Sequence, residues 1–166
     1  MATITTTARR VLAAVSLLFL LLAPADVVRG SAQRPVPAFK ITAMRAMLFY
    51  GQTGMFSADL FGPSAPTLQN VTTGEGQSTA TMVVIEISGQ PDGYAPARKV
   101  TLRATAAGRV LLTRTAGLGR PGDDGKFYSG FWIYDTGCTP VVLNARLVGQ
   151  SPESVLQKTL NFKCGD

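Results

Sequence analysis

The chain of 166 residues contains no histidine. Histidine is the usual general base near neutral pH and the commonest zinc ligand, so its absence excludes Ser-His-Asp and Cys-His catalytic pairs and the common zinc sites. Cysteine is nearly as scarce, and its two residues are too few for a thiolate metal cluster. We therefore expect a protein that is not an enzyme and that carries no cofactor and no metal.

Long hydrophobic runs are also missing, apart from one near the N-terminus. The residues from Val11 to Ala23 form an apolar stretch of 13, directly after Arg9 and Arg10. A membrane-spanning helix needs roughly 20 apolar residues, whereas a shorter run behind a basic flank is typical of a signal peptide. We predict that residues 1–32 are a cleaved export signal.

Two cleavage positions fit the small residues that follow the apolar run, one after Ala25 and one after Ala32. Cleavage at the second position leaves residues 33–166, a mature chain of 134 residues, which is enough for one domain with its own core. The predicted location is secreted or periplasmic, with no membrane span after cleavage.

The charge of the mature chain is small and scattered. Without residues 1–32 it has 13 basic and 9 acidic residues, a net charge of +4. Arg98 and Lys99 are the only adjacent basic pair. Nucleic-acid binding requires a clustered basic stripe, so we expect no nucleic-acid partner.

Helical periodicity is absent, and the apolar residues of the mature chain recur with period two. Turn residues interrupt this pattern about every 8 to 12 residues, which predicts eight or nine short strands. The predicted strands lie at 39–43, 56–60, 79–88, 99–105, 110–115, 127–134, 141–148 and 155–162. The fold class expected is all-β, a single antiparallel β-sandwich of immunoglobulin-like or fibronectin III-like type, in preference to a closed barrel.

The two cysteines of an exported chain are expected to form a disulfide. A bond between Cys138 and Cys164 would close a loop of 27 residues. On the chain-entropy account such a loop stabilises the fold by about 3.5 kcal/mol.

The C-terminal hairpin constrains how this bond can form. If Leu147 lies opposite Leu156, regular pairing places Cys164 opposite Thr139 and on the other face from its partner cysteine. Pro140 cannot donate a hydrogen bond to a sheet, so we predict an irregularity beside it that brings the two sulfur atoms together.

Five of the twelve aromatic residues of the mature chain fall between Phe127 and Tyr134. Alternation assigns one face of this strand to the core: Phe127, Phe131 and Ile133. The other face carries Tyr128, Trp132 and Tyr134. Two interpretations are open, a central strand covered on both faces or an amphipathic platform for a protein, peptide or glycan. We expect the second face to be partly exposed and to be the ligand face.

Carboxylates offer two further candidate sites. Asp123 and Asp124 lie between glycines, where they form an exposed turn or contribute to a calcium site. Glu86 lies within an apolar strand, where it is either a surface residue or a general acid with a raised pKa. A pair of such acids would be required for glycoside hydrolysis.

The segment from Asn70 to Gly74 reads Asn-Val-Thr-Thr-Gly. It is similar to the Asn-Pro-Thr-Thr-Gly loop of the chagasin-like cysteine-protease inhibitors, which are exported immunoglobulin-like domains. Val71 replaces the proline, Glu75 stands where an aromatic residue is expected, and the Arg-Pro-Trp loop is absent. These departures leave the chain without a family assignment.

The function expected from the sequence is that of an exported, non-enzymatic β-sandwich module with a binding or structural role. Two alternatives stay open. One is a secreted protease inhibitor that presents loops from an immunoglobulin-like scaffold, and the other is a carboxylate-dependent glycan hydrolase.

Overall fold

Every regular element in the described part of the chain is a β-strand. The computed structural model describes residues 39–65, 71–72, 76–91 and 94–162, and only the backbone of residues 71, 72, 76 and 77. These residues belong to one unit, Val36–Asp166. The strands are β1 (Lys40–Tyr50), β2 (Met55–Phe56), β3 (Val71–Thr72), β4 (Gly76–Gln77), β5 (Ala80–Ser88), β6 (Lys99–Ala106), β7 (Arg109–Gly117), β8 (Lys126–Ile133), β9 (Val141–Val148) and β10 (Ser154–Leu160).

Eight of these strands form two antiparallel sheets of four. The front sheet has the order β2-β1-β5-β8, and the back sheet has the order β10-β9-β6-β7. The short strands β3 and β4 pair with each other. An all-β fold with two antiparallel sheets is therefore confirmed, although three of the ten described strands have only two residues.

The two sheets pack face to face because each long strand turns a row of apolar side chains toward the other sheet. In β5, for example, Val83, Ile85 and Ile87 are fully buried while the side chains between them face outward. Strand β1 of the front sheet contacts β9 and β10, and β8 contacts β6 and β7. The largest fully buried side chains are Tyr50, Phe127, Met44, Leu48, Ile85, Ile87, Leu102, Ile133, Leu143, Leu147, Leu160 and Val83.

Strand β1 is twice as long as the sequence predicted, because the predicted strand ended at residue 43. A bulge between Ile41 and Ala43 changes the phase of the alternation at that point. Beyond the bulge both faces carry apolar residues, so no alternation is visible: Met44 and Leu48 face the core, and Phe49 faces outward.

The predicted strand at 56–60 is wrong after its first residue. Only β2 pairs with β1 in a regular ladder, and Phe56 is exposed where burial was expected. Residues 57–60 bond the backbone of β1 through side-chain oxygens as well as through backbone groups. Ser57 Oγ accepts a hydrogen bond from Leu48 N at 2.9 Å, and Asp59 Oδ1 accepts from Ala46 N at 3.0 Å and Phe61 N at 3.1 Å.

The C-terminal hairpin pairs two residues away from the predicted register. Leu147 lies opposite Ser154 instead of Leu156. Ser154 is held at the start of β10 because its hydroxyl accepts a hydrogen bond from Ile41 N at 3.0 Å, which joins the two sheets. The ladder ends at Leu160, before the cysteine positions.

Cys138 follows the turn after β8, where the chain leaves the ladder and Gly137 has a φ of 62°. The chain is therefore irregular before Pro140, but whether this brings the two sulfur atoms together stays a prediction. Cys164 lies outside the described residues, so its bond to Cys138 stays a prediction, and the described part of the chain contains no free cysteine. The predicted signal peptide at 1–32 also lies outside the described residues. No helix that could span a membrane occurs where the structure is described.

Removal of the Asp59 carboxylate tests how the edge of β1 is closed. Asp59→Ala leaves two backbone N–H groups without their acceptor, so we expect a loss of about 2 kcal/mol in the free energy of unfolding and a fall of several degrees in Tm. Thermal and urea unfolding measure both quantities. Asp123→Ala, at an exposed turn, is the matched control and should leave Tm unchanged; equal stability of the two variants would contradict this account.

Candidate functional site: an aromatic pocket on the front sheet

The outer face of the front sheet is apolar and aromatic at one end. Phe56 on β2 lies opposite Phe49 on β1. Met82 on β5 pairs with Met47 of β1 on one side and with Trp132 of β8 on the other. All five side chains point away from the core because they occupy the outward positions of their strands. The antiparallel pairing thus collects residues from four strands on one surface.

Three rings of this surface contact one another. The centroid of Phe49 lies 5.3 Å from that of Phe56 and 5.6 Å from that of Trp132, the latter pair at 81° in an edge-to-face arrangement. Phe56 and Trp132 complete the triangle at 6.0 Å. These separations are within the favourable range for aromatic pairs, so the rings hold one another in place without a covering layer.

A shallow pocket of about 330 Å³ opens beside the three rings. Its lining consists of Phe49, Phe56, Thr79, Ala80, Trp132 and Tyr134. The exposed fraction is 43% for Phe56, 37% for Trp132 and 61% for Tyr134. Large aromatic side chains that remain exposed and contiguous typically mark a binding surface. We call this group the aromatic pocket.

The structure separates one of the three predicted ligand residues from the other two. Tyr128, Trp132 and Tyr134 are all exposed as expected, but only Trp132 and Tyr134 line the aromatic pocket. Tyr128 lies four residues along β8, about 13 Å away, opposite Glu86. Their role in binding stays a prediction.

Sequence reasoning missed Phe49 and Phe56. The signal for Phe49 was its alternation with Leu48 and Tyr50, which becomes readable only when the strand is continued past the bulge. Phe56 gave no such signal, because its apparent alternation with Leu60 assigned it to the core.

Glu86 forms a polar group at the other end of the same face. Its carboxylate accepts a hydrogen bond from Thr42 Oγ1 at 2.9 Å and lies 3.2 Å from Lys126 Nζ. The hydrogen bond from Thr42 and the nearby ammonium of Lys126 hold the pKa of Glu86 below its usual range, against a smaller opposing effect of burial. Glu86 is therefore ionised near neutral pH, and its interpretation as a general acid with a raised pKa is wrong.

In the turn that contains Asp123 and Asp124, one carboxylate bonds a backbone N–H group. Asp124 Oδ1 accepts a hydrogen bond from Lys126 N at 3.0 Å. No group of three or more acidic, histidine or cysteine side chains gathers anywhere in the described ranges. The Asn-Val-Thr-Thr-Gly segment lies largely outside the described residues, apart from the backbone of β3.

The outer face of the back sheet differs in chemistry. A broad depression of about 670 Å³ is lined by polar side chains, among them Arg103, Asn144, Arg146 and Gln157. Arg146 is engaged with Glu153 at 3.3 Å, and Asn144 donates to Gln157 at 3.4 Å. The outer face of the back sheet is therefore mostly polar, whereas the outer face of the front sheet carries the aromatic pocket.

No protein-family model matches the chain, and no curated protein matches it either.

The Glu86 group gives a pH-dependent prediction. Because the pKa of Glu86 is lowered in the folded state, its stabilisation is present above the unfolded pKa and is lost as pH falls through the folded pKa. Acidification from about pH 6 to about pH 3 should therefore cost the wild type more stability than Glu86→Gln. Urea unfolding across this range measures the difference, and parallel stability curves for the two proteins would contradict it.

Proposed function

We propose that this protein is an exported, non-enzymatic binding module that holds an apolar side chain of a peptide or protein partner in its aromatic pocket. The observation that carries the proposal is the contact triangle of Phe49, Phe56 and Trp132, three rings from three strands on an exposed surface. A rigid aromatic surface buries much area on binding at little cost in side-chain entropy.

The strand order supports a fibronectin III-like sandwich. Seven strands are longer than two residues, namely β1 and β5 to β10. Counted in chain order, the first (β1), second (β5) and fifth (β8) of these lie in the front sheet. The fourth, β7, pairs with the third instead of the fifth. In the constant immunoglobulin arrangement the fourth strand joins the first sheet, so we infer the fibronectin III-like type. Such domains use exposed strands and loops to bind partners.

The lining of the pocket favours an apolar side chain over a glycan. A sugar requires several polar partners around an aromatic face, whereas only Thr79 and Tyr134 contribute side-chain oxygens here. The edge-to-face contact with Phe49 also occupies part of the Trp132 ring. An aliphatic or aromatic side chain would fit beside these rings without leaving polar groups unpaired.

The carboxylates support a binding role over hydrolysis. Glu86 and Glu153 are each paired with a basic side chain, and Asp59 and Asp124 accept backbone hydrogen bonds. A hydrolase acting on glycans would require two carboxylates facing one cleft. The protease-inhibitor alternative depends on the segment at 70–74, and inhibition of papain-like enzymes is the assay for it.

Export is part of the proposal and is supported by the leader sequence at residues 1–32. A disulfide between Cys138 and Cys164 belongs with it, since it would fasten the C-terminus to the turn after β8. The single tryptophan of the chain lies in the proposed site, which makes the site directly observable.

Panning of a random heptapeptide phage library on the mature domain tests the proposal, followed by fluorescence titration of Trp132 with the enriched peptide. We expect apolar residues to be enriched and the Trp132 emission to shift on binding. Phe56→Ser should weaken the affinity about tenfold or more, because it removes one wall of the pocket.

Val155→Ser is the matched control, since Val155 is an exposed apolar residue on the back sheet. It should leave the affinity unchanged. Equal effects of the two substitutions, or a Trp132 emission that no enriched peptide changes, would overturn the proposal.

A further inference from the structure

The two edges of the front sheet differ, and the β1 edge is bonded at several points along its length. At one end Gln150 bonds both backbone groups of Phe39, accepting from its N–H at 3.0 Å and donating to its carbonyl at 2.7 Å. Lys158 Nζ donates to the carbonyl of Met44 at 3.1 Å. Further along, Leu60 N and the Asp59 carboxylate bond the backbone of Ala46.

The β8 edge is open. The carbonyl of Lys126 accepts a hydrogen bond from Gly122 N at 2.8 Å on the side away from β5, so the backbone groups of Lys126 point outward. Alternation along an antiparallel strand then turns the N–H and C=O groups of Tyr128, Gly130 and Trp132 outward as well. Within the described residues β8 pairs only with β5, and no backbone hydrogen bond reaches these outward groups.

A groove of about 420 Å³ lies along this edge, between β8 and β7. On one side are Gly130, Trp132 and Tyr134, and on the other are Leu112, Arg114, Thr115 and Ala116. Strand β7 is the last strand of the back sheet, and β8 contacts both it and β6. The inward-facing side chains of β7 therefore lie beyond the β8 edge of the front sheet. Leu112 and Ala116 are two of these side chains, and they are only half-buried.

Arg114 is exposed at this groove and enters no ion pair with any side chain that the structure describes. It occupies an inward position of β7, opposite the buried Leu102 of β6, so its guanidinium lies on the β8 side of the strand. A cation in this position attracts an acidic group that enters between the two edges.

We propose that an extended, acidic peptide segment of a partner protein binds in this groove as an added strand on β8. A row of alternating N–H and C=O groups at strand spacing is matched by another extended backbone and by few other ligands. The added strand covers Leu112 and Ala116 with its inward side chains and places a carboxylate against Arg114. This inference rests on the binding role in the proposed function; the groove shares Trp132 and Tyr134 with the aromatic pocket but does not include Phe56.

The edge lacks the features that normally block strand addition. Between Tyr128 and Trp132 there is no proline and no bulge, and the only lysine of β8 is its first residue. Gly130 has no side chain to interfere with an approaching backbone; the ε-methyl of Met82 covers its outer face, where an added Cβ would lie 2.9 Å from it. The open edge and the small residue thus occur at the same point.

Two pairs of variants test the inference, with a random dodecapeptide phage library and the enriched peptide as the probe. Tyr128→Pro removes one outward N–H without breaking a bond to β5, whereas Tyr128→Thr removes the ring and keeps the N–H. Arg114→Glu reverses the charge at the groove, and Arg109→Glu makes the same change at the exposed start of β7. We expect Tyr128→Pro to bind about tenfold more weakly than Tyr128→Thr, and Arg114→Glu to bind about tenfold more weakly than Arg109→Glu.

Amide NMR of the complex provides an independent readout. On addition of the enriched peptide, hydrogen exchange should slow at Tyr128, Gly130 and Trp132, while Ser129 and Phe131, already paired with β5, should not change. Enriched peptides should carry aspartate or glutamate. Dependence of affinity on Tyr128→Pro and Arg114→Glu but not on Phe56→Ser would support the strand addition and contradict the aromatic pocket.

The opposite dependence would overturn the strand addition and leave the proposed function standing. Failure to enrich any peptide would overturn both. Protection of the three amides that depends on protein concentration in the absence of peptide would show that a second copy of the chain occupies the edge, and would also overturn the inference.

Discussion

The pairing of exposed backbone groups at the sheet edges is the constraint on which this structure depends. A sandwich of two four-stranded sheets has four edges, and each edge exposes N–H and C=O groups that another chain could bind. The protein closes the β1 edge with side chains from three segments: Gln150 from the β9–β10 turn, Lys158 from β10 and Asp59 from the residues after β2. The bonds from Gln150 and Lys158 also join the two sheets at that side, so part of the edge closure also holds the sandwich together.

The chemistry of the two outer faces follows from the same division. The outer face of the back sheet is mostly polar, and its side chains bond across neighbouring strands: Thr101 and Thr115 lie 2.8 Å apart, and Asn144 donates to Gln157 at 3.4 Å. The front sheet instead exposes Phe56, Trp132 and Tyr134 at one end of its outer face, the last two beside its open edge. Exposed contiguous aromatic surface is costly in water, and the proposed binding role would account for it.

The sequence predicted the all-β class, and it predicted the inward residues of strands whose alternation is unbroken. The alternation of β8 identified Phe127, Phe131 and Ile133 as core residues, and all three are buried. Prediction failed where the period was hidden. In β1 the bulge after Ile41 shifts the phase and both faces are apolar, so the position of Phe49 was not readable from the pattern.

The site could be predicted only in part, because it depends on pairing between strands. Trp132 was expected on an exposed face from its own strand, yet its contacts with Phe49 and Phe56 require the order β2-β1-β5-β8. That order also makes β8 an edge strand, whereas one interpretation of its aromatic residues made it a central strand covered on both faces. Local periodicity assigns a residue to a face but does not identify the neighbours of its strand.

Amide hydrogen exchange of the unliganded protein tests the central claim, that one edge of the front sheet is closed and the other open. The outward amides of Ala46 and Leu48 on β1 are bonded to Asp59 and Ser57, so they should exchange slowly. On β8 the account predicts an alternating pattern, with Gly130 exchanging on the order of 100-fold faster than its neighbours Ser129 and Phe131. Uniformly slow exchange along β8, or rapid exchange at Ala46 and Leu48, would contradict it.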